Sequence, residues 1–184
     1  STSKYRTVML DTASGLQDLV LKEILGFDEL PAQKSWGLAS REQWGQCALR
    51  TKDLLRSCLD LVRKTGCSTV VVAQEREFNS EGDGDLLMPY VGSALSPSVT
   101  GWLNPACDYI VQTFVREART VKKTKIGKKI VERKVASGGV EYCLRTAADP
   151  VYTTKLRLPK GRVVPDVIVD PTYRKLMDVI QGKG

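Results

Sequence analysis

Two short runs of apolar residues stand out along the chain, and each ends in a polar side chain. The first covers residues 5–11 and ends at Asp11, and the second covers residues 68–74 and ends at Gln74. Runs of this length that are rich in β-branched residues are typical of strands buried on both faces of a parallel sheet. Ligands bind at the carboxyl ends of such strands. Asp11 and Gln74, the polar tips of the two strands, are therefore predicted to lie at a ligand-binding edge of the sheet.

The segment between the two runs has the pattern of two helices. Ser14 and Gln17 have the spacing of a capping box for the first helix, which Gly26 ends. Ser40 begins the second helix with the same spacing to a Gln, and Gly66 ends it. A right-handed crossover through these helices would place both strands in one parallel sheet, with their polar tips at the same end.

Residues 75–106 read as a long loop that opens with several acidic residues. Such a loop is either a solvated surface segment or a place where a divalent cation binds, although the ligand spacing of a calcium loop is absent. Residues 108–115 then predict a third strand.

The positive charge of the chain is concentrated in residues 116–134. This stretch has nine Lys or Arg and two Glu, so its net charge of +7 equals that of the whole protein. Its valines and isoleucines alternate with the cations, and Gly127 stands near the middle, as in a β-hairpin with one apolar face. A compact basic patch is typical of a protein that binds a polyanion, but a merely solvated hairpin is an equal alternative. The candidate nucleic-acid ligands are Lys122, Lys123, Lys125, Lys128, Lys129, Arg133 and Lys134.

Three further elements follow the basic stretch. A turn at Gly138-Gly139 and a strand over residues 140–146 would complete a basic insertion that covers residues 116–146. Residues 152–158 predict another strand, and residues 171–180 a terminal helix with Asp170 as its N-cap.

Composition excludes several classes of chemistry. The chain has 184 residues and no histidine, which excludes Ser-His-Asp and Cys-His catalysis and most zinc sites. Its five cysteines lack CxxC spacing and read as buried free thiols in a reducing compartment. The sequence contains no apolar stretch long enough for a membrane span, so we expect a cytoplasmic protein without a membrane partner.

The order of these segments resembles the RecA-like ATPase core, especially that of phage ATPases, some of which act in single-strand annealing. Residues 8–12 (Val-Met-Leu-Asp-Thr) resemble a Walker B strand, and residues 70–74 resemble the next core strand, whose terminal Gln senses the γ-phosphate. Residues 152–157 resemble the late strand whose basic pair, here Lys155 and Arg157, reaches the nucleotide of a neighbouring subunit.

The resemblance implies an α/β fold with a parallel sheet flanked by helices, to which the basic antiparallel hairpin is added. It implies ATP and Mg²⁺ as cofactors, with Asp11 on the metal and Thr12 beside it, and with Gln74, Lys155 and Arg157 in catalytic roles. It further implies a homo-oligomer that acts on single- or double-stranded DNA in recombination, in the cytoplasm of a bacterial host if a phage encodes it.

The sequence departs from the family in one respect that changes the expected activity. It contains no G-x-x-x-x-G-K-[ST] motif, the loop that cradles the phosphates. We therefore expect the 184 residues to form a single partial RecA-like core that does not hydrolyse ATP alone and whose sheet has exposed strand edges. Two alternatives stay open, a nucleic-acid-binding module without catalysis and a structural subunit that has lost the chemistry.

Overall fold

A computed structural model describes residues 5–28, 39–78, 90–126 and 129–183. The chain divides into two compact units, residues 1–107 and residues 108–184. Unit 1 is residues 1–107, and unit 2 is residues 108–184. Within the described ranges, no helix combines the length and the apolar character that crossing a membrane requires.

Unit 1 is a mixed α/β structure in which helices outweigh strands. Its elements, in chain order, are β1 (Thr7–Asp11), α1 (Ala13–Leu25), α2 (Arg41–Thr65), β2 (Ser68–Val72), β3 (Glu75–Phe78), β4 (Tyr90–Ser93) and α3 (Pro97–Ala106).

Strands β1 and β2 are adjacent and parallel, as the two apolar runs predict. Their register pairs Thr7 with Ser68 and Asp11 with Val72, so Asp11 and the residues after β2 lie at the same end. The parallel sheet has two strands in the described part of unit 1. The α/β class is thus confirmed, and the larger sheet implied by the resemblance remains a prediction.

The helix boundaries confirm most of the capping signals. Ser40 and Gln43 form the expected capping box of α2: the Ser40 backbone N–H donates to Gln43 Oε1 (2.7 Å), and the Gln43 N–H donates to Ser40 Oγ (3.2 Å). Gly26 ends α1 in the left-handed conformation, with φ of 69°. Ser14 was the wrong N-cap, because Thr12 accepts the Gly15 N–H (2.9 Å) and begins α1 two residues earlier.

The core of unit 1 lies where the three helices meet one face of the strand pair. Leu10 and Val71 contribute from β1 and β2, and the fully buried members come mainly from the helices. They are Ala13, Ala48, Leu55, Leu95, Val99 and Leu103. A second cluster of Val20, Leu21 and Cys47 joins α1 to α2. The apolar positions recur about every 3.6 residues, which predicts that one stripe of each helix is buried. The structure confirms this prediction.

The expectation of a single loop over residues 75–106 is wrong. Strands β3 and β4 form an antiparallel pair, and α3 follows directly. Pro97 begins α3 and Pro105 lies inside it near its end, and these residues, with Gly101, weaken the helical pattern in the sequence. The acidic residues Glu81, Asp83 and Asp85 lie outside the described ranges, so the cation-loop prediction is untested.

Unit 2 is mostly antiparallel. Its elements are β5 (Tyr109–Ile110), β6 (Gln112–Ile126), β7 (Lys129–Arg145), β8 (Lys155–Leu156), β9 (Val167–Val169) and α4 (Tyr173–Gln181). Strand β7 lies between β6 and β9, while β5 pairs with β8. The predicted strand over 152–158 is thus reduced to two ladder residues, and β9 was not predicted because three residues carry too little pattern.

The basic hairpin is confirmed and is longer than expected. Strands β6 and β7 pair from Gln112 with Arg145 outward to Ile126 with Lys129. The turn at Gly138-Gly139 was wrong, since β7 passes through these residues without ending. The register shifts there instead, and Gly138 takes a positive φ of 76°, so the extra residues form an irregularity within the ladder. Gly127 and Lys128 lie outside the described residues.

The terminal helix is confirmed with a different cap. The N-cap of α4 is Thr172, whose side chain accepts the Lys175 N–H (3.1 Å). Asp170, the predicted cap, instead donates its backbone N–H to the Tyr142 carbonyl (2.8 Å) and so continues the pairing of β9 with β7. The predicted cap was therefore wrong, because Asp170 belongs to the sheet pairing and α4 begins two residues later.

Candidate functional site

The predicted binding edge of unit 1 is present at the carboxyl end of the strand pair. Asp11 is the last residue of β1 and is exposed, and Thr12 follows it as the N-cap of α1. Gln74 lies two residues beyond the end of β2 and is also exposed. The structure therefore brings a carboxylate, a hydroxyl and an amide to one end of one sheet.

The main chain of Gln74 is held from two sides. Its N–H donates to Ser14 Oγ (3.2 Å), and its carbonyl accepts the Ala94 N–H (2.7 Å). Ser14 is buried in the first turn of α1. The position of Gln74 is thus set by the helix that starts beside Asp11 and by the segment that follows β4, while its side chain stays free to meet a ligand.

Gln17 makes a second buried connection from α1. Its Oε1 accepts the N–H of Ser96, the N-cap of α3, at 2.9 Å. Ser14 and Gln17 are three residues apart and so lie on one face of α1. The sequence pattern identified both residues but assigned them to a local cap. Their partners are 60 and 79 residues away, and no local signal reveals such pairs.

The chemistry available at this edge is that of an exposed carboxylate, Asp11, next to a helix N-terminus. No group of three or more Cys, Asp or Glu side chains that would hold a metal by itself occurs among the described residues. One carboxylate is, however, a sufficient protein ligand for Mg²⁺ when substrate phosphates and water supply the others. The partial positive charge at the start of α1 favours an anionic ligand at the same place.

The two basic residues assigned to the nucleotide of a neighbouring subunit lie in unit 2. Lys155 is in β8 opposite Ile110, and Arg157 follows β8. Arg157 Nη1 lies 2.6 Å from Asp108 Oδ1, and its backbone N–H donates to the Asp108 carbonyl (2.9 Å). Both side chains of this ion pair are more than half exposed, so the pair is weak and screened by salt.

The basic hairpin places exposed cations opposite each other on its two strands. The register places Lys122 directly across from Arg133, and both side chains are exposed. Like charges opposite each other destabilise a ladder, so this pair opposes hairpin formation. Near the register shift a hollow of about 370 Å³ is lined by Arg116, Glu117, Arg119, Val121 and Glu141. Arg116 Nε donates to Glu141 Oε2 (2.9 Å), which raises the pKa of the guanidinium.

The remaining predicted hairpin ligands are defined only in part. The backbone register of β6 and β7 includes Lys123, Lys125, Lys129 and Lys134, but their side chains lie outside the described set, and Lys128 is wholly outside it.

The base of the hairpin contains a polar cluster that the sequence did not reveal. The Arg145 guanidinium lies between two rings, 4.9 Å from the centre of Phe114 and 4.5 Å from that of Tyr152. It donates to Gln112 Oε1 (3.0 Å) and to Asp149 Oδ2 (2.7 Å). The N–H groups of Val151 and Tyr152 also donate to Asp149 and, with Arg145, lower the pKa of its carboxyl. This cluster joins the loop after β7 to the hairpin.

Comparison with protein-family models, with curated proteins and with solved structures gives no match for this chain.

Proposed function

We propose that this chain is part of a RecA-like nucleotide-binding ATPase that acts on DNA, and that the edge formed by Asp11, Thr12 and Gln74 faces a Mg²⁺-nucleotide. The observation that carries the proposal is the parallel register of β1 and β2, which brings both polar tips to one end. In a complete core this pair is part of a larger parallel sheet flanked by helices.

Each residue of the edge has a role that follows from its chemistry. Asp11 binds the Mg²⁺ hydration shell, since a carboxylate suits a hard cation. Gln74 donates its amide to the γ-phosphate, and any displacement of its main chain is passed to β3, which starts at the next residue. Lys155 and Arg157 offset charge on the phosphoryl oxygens of a neighbouring copy. Arg157 must leave the exposed Asp108 pair to do so, a step that costs little.

A paramagnetic ion locates the proposed site without requiring tight binding. We expect Mn²⁺ with a non-hydrolysable ATP analogue to broaden the amide signals of Asp11, Thr12 and Gln74 in NMR spectra of the chain. Asp11→Asn keeps the size of the side chain and removes its charge, so it should abolish the broadening. Asp28→Asn removes an exposed carboxylate elsewhere in unit 1 and should not. Broadening that survives Asp11→Asn would place the cation elsewhere and overturn the assignment.

The second part of the proposal is that the hairpin of β6 and β7 binds the nucleic-acid backbone. The opposed Lys122 and Arg133 support it, because two exposed cations opposite each other concentrate positive charge that a phosphate backbone can neutralise. Such binding is insensitive to base sequence and releases counterions, so log affinity should fall linearly with log salt. Each phosphate contact contributes a slope of roughly −0.9 on duplex or −0.7 on single strands.

Charge removal tests this interface directly. Replacing Lys122, Lys123, Lys128 and Lys129 with Ala should weaken binding to all DNA sequences alike and flatten the salt slope. The control removes four cations outside the hairpin, at Lys64, Lys160, Arg174 and Lys183, all of them exposed. Equal loss of affinity in both variants would mean that only net charge matters, and no loss in the hairpin variant would exclude the hairpin as the interface.

A further inference from the structure

One face of the hairpin base carries an exposed apolar row. Val115 lies directly across from Tyr142, and Val140 is two residues along β7 on the same face. The exposed fractions are 55% for Val115, 63% for Tyr142 and 66% for Val140. The opposite face of the same strands carries Phe114 and Arg145, which contact each other. The two faces of one hairpin are therefore built differently.

The row does not contribute to the core of unit 2. Leu144 on the same strand and its partner Ile168 on β9 are buried, and burial on this face ends one step before Tyr142. An aromatic ring that is flanked by two valines and left mostly in water presents a flat apolar surface to a ligand. Isolated exposed apolar residues need no explanation, but three adjacent ones on a strand pair do.

The charge beside the row limits what the ligand can be. On the face of the row, Glu117 lies opposite Val140 and Arg119 follows on β6, whereas Lys122 and its partner Arg133 lie on the other face. Arg119 is four residues beyond Val115, which corresponds to about 13 Å along the strand at 3.3 Å per residue. A ligand that contacts both the row and Arg119 gains from a flat apolar group at one end and negative charge at the other.

We propose that Tyr142, supported by Val115 and Val140, is a stacking platform for an unpaired base, so that the hairpin binds single-stranded nucleic acid in preference to duplex. This inference rests on the proposed nucleic-acid function of the hairpin and names its substrate. Phosphates contact the cations beyond the register shift, and a base leaves the backbone to stack on the Tyr142 ring. Bases in a duplex are already stacked on one another, so only a single strand can use the platform.

Removing the ring tests the proposal. Tyr142→Thr replaces the ring with a β-branched residue that also favours a strand, and should weaken binding to oligo(dT) by about 5- to 150-fold, the range found when one stacking ring is removed. Its affinity for duplex DNA and its salt slope should be unchanged, because no charge is lost. Tyr142→Phe keeps the ring and should bind like the parent protein. Tyr173→Ala removes another exposed tyrosine of unit 2 and serves as control.

An abasic oligonucleotide provides a readout that is independent of mutation. The parent protein should bind an abasic strand as weakly as Tyr142→Thr binds oligo(dT), and photo-crosslinking of 5-iodouracil DNA should label Tyr142. If Tyr142→Thr binds oligo(dT) normally while the four-alanine hairpin variant binds it weakly, the platform is excluded and the nucleic-acid function stands. If the parent protein binds no DNA at low salt, both proposals fall. A misfolded Tyr142→Thr would lose duplex binding as well, and the abasic and crosslinking results then decide.

Discussion

The two units of this chain use their strands in opposite ways. In unit 1, β1 and β2 have five residues each, and the neighbouring helices bury most of the core. In unit 2, β6 and β7 have 15 and 17 residues, and much of the hairpin is exposed. Parallel strands require a crossover connection, here through helices that also cover the pair, whereas antiparallel strands are joined directly and pair their facing backbone groups along their whole length.

The difference decides where functional residues can lie. In unit 1 the candidate residues follow the strand tips, and contacts from distant segments hold the main chain in place. In unit 2 they lie along the strands, where register alone positions them. Unit 1 is therefore suited to a ligand that requires fixed geometry, and unit 2 to a polymer that is bound by repeated contacts.

The largest expected effect is in the core of unit 1. Leu55 is 1% exposed, and Leu55→Ala should lower the free energy of unfolding by about 2–5 kcal/mol. The adjacent Leu54 is 44% exposed, so Leu54→Ala should lower it by about 1 kcal/mol or less. All three tryptophans, at positions 36, 44 and 102, belong to unit 1, so their fluorescence in denaturant reports on this unit. Equal losses in the two variants would contradict the assigned core.

A smaller effect is expected at the polar cluster of unit 2. Arg145→Lys keeps the charge but loses the planar group between Phe114 and Tyr152, and should destabilise unit 2 by about 1–3 kcal/mol. Arg174, with 92% of its side chain exposed, provides the control, and Arg174→Lys should leave the stability of unit 2 unchanged. Hairpin amide signals followed by NMR through a denaturant series measure both variants. If Arg145→Lys leaves the stability of unit 2 unchanged, the hairpin does not depend on the polar cluster at its base.

Acid should weaken the same cluster. The pKa of Asp149 is lowered from its ordinary value of 3.8, so the native state holds fewer protons than the unfolded state near that pH. Ionised Asp149 therefore stabilises unit 2 fully at pH values above the ordinary pKa. This stabilisation is lost as the pH falls through the lowered pKa of the native state. Asp149→Asn keeps an acceptor for the N–H groups but cannot titrate, so the midpoint of unit 2 unfolding should depend less on pH. The same acid dependence in both proteins would assign it to another carboxyl.

The smallest effect on stability is expected on the hairpin strands. Lys122→Thr removes a like-charge opposition with Arg133 and adds a β-branched residue, so unit 2 should be unchanged or more stable by about 0.5 kcal/mol. The same variant should bind DNA more weakly, which separates stability from function. Destabilisation by Lys122→Thr would mean that the lysine serves the fold and would weaken the case for a polyanion partner.

Local signals explain which elements the sequence predicted correctly. The apolar runs, the Ser40 capping box and Gly26 act within one turn or one strand, and each is where the sequence predicts it. The short β9 and the proline-interrupted α3 were missed, since their patterns are too brief or too irregular to stand out.

The sequence by itself determined the polar strand tips, the helices between them and the position of the basic hairpin, because each follows from residue spacing. Only the tertiary structure decided that Ser14 holds Gln74, that β7 continues through Gly138, and that Tyr142 faces outward beside Val115. These contacts join residues 25 or more positions apart or depend on ladder register. Burial and strand pairing settle such choices among local conformations of nearly equal energy.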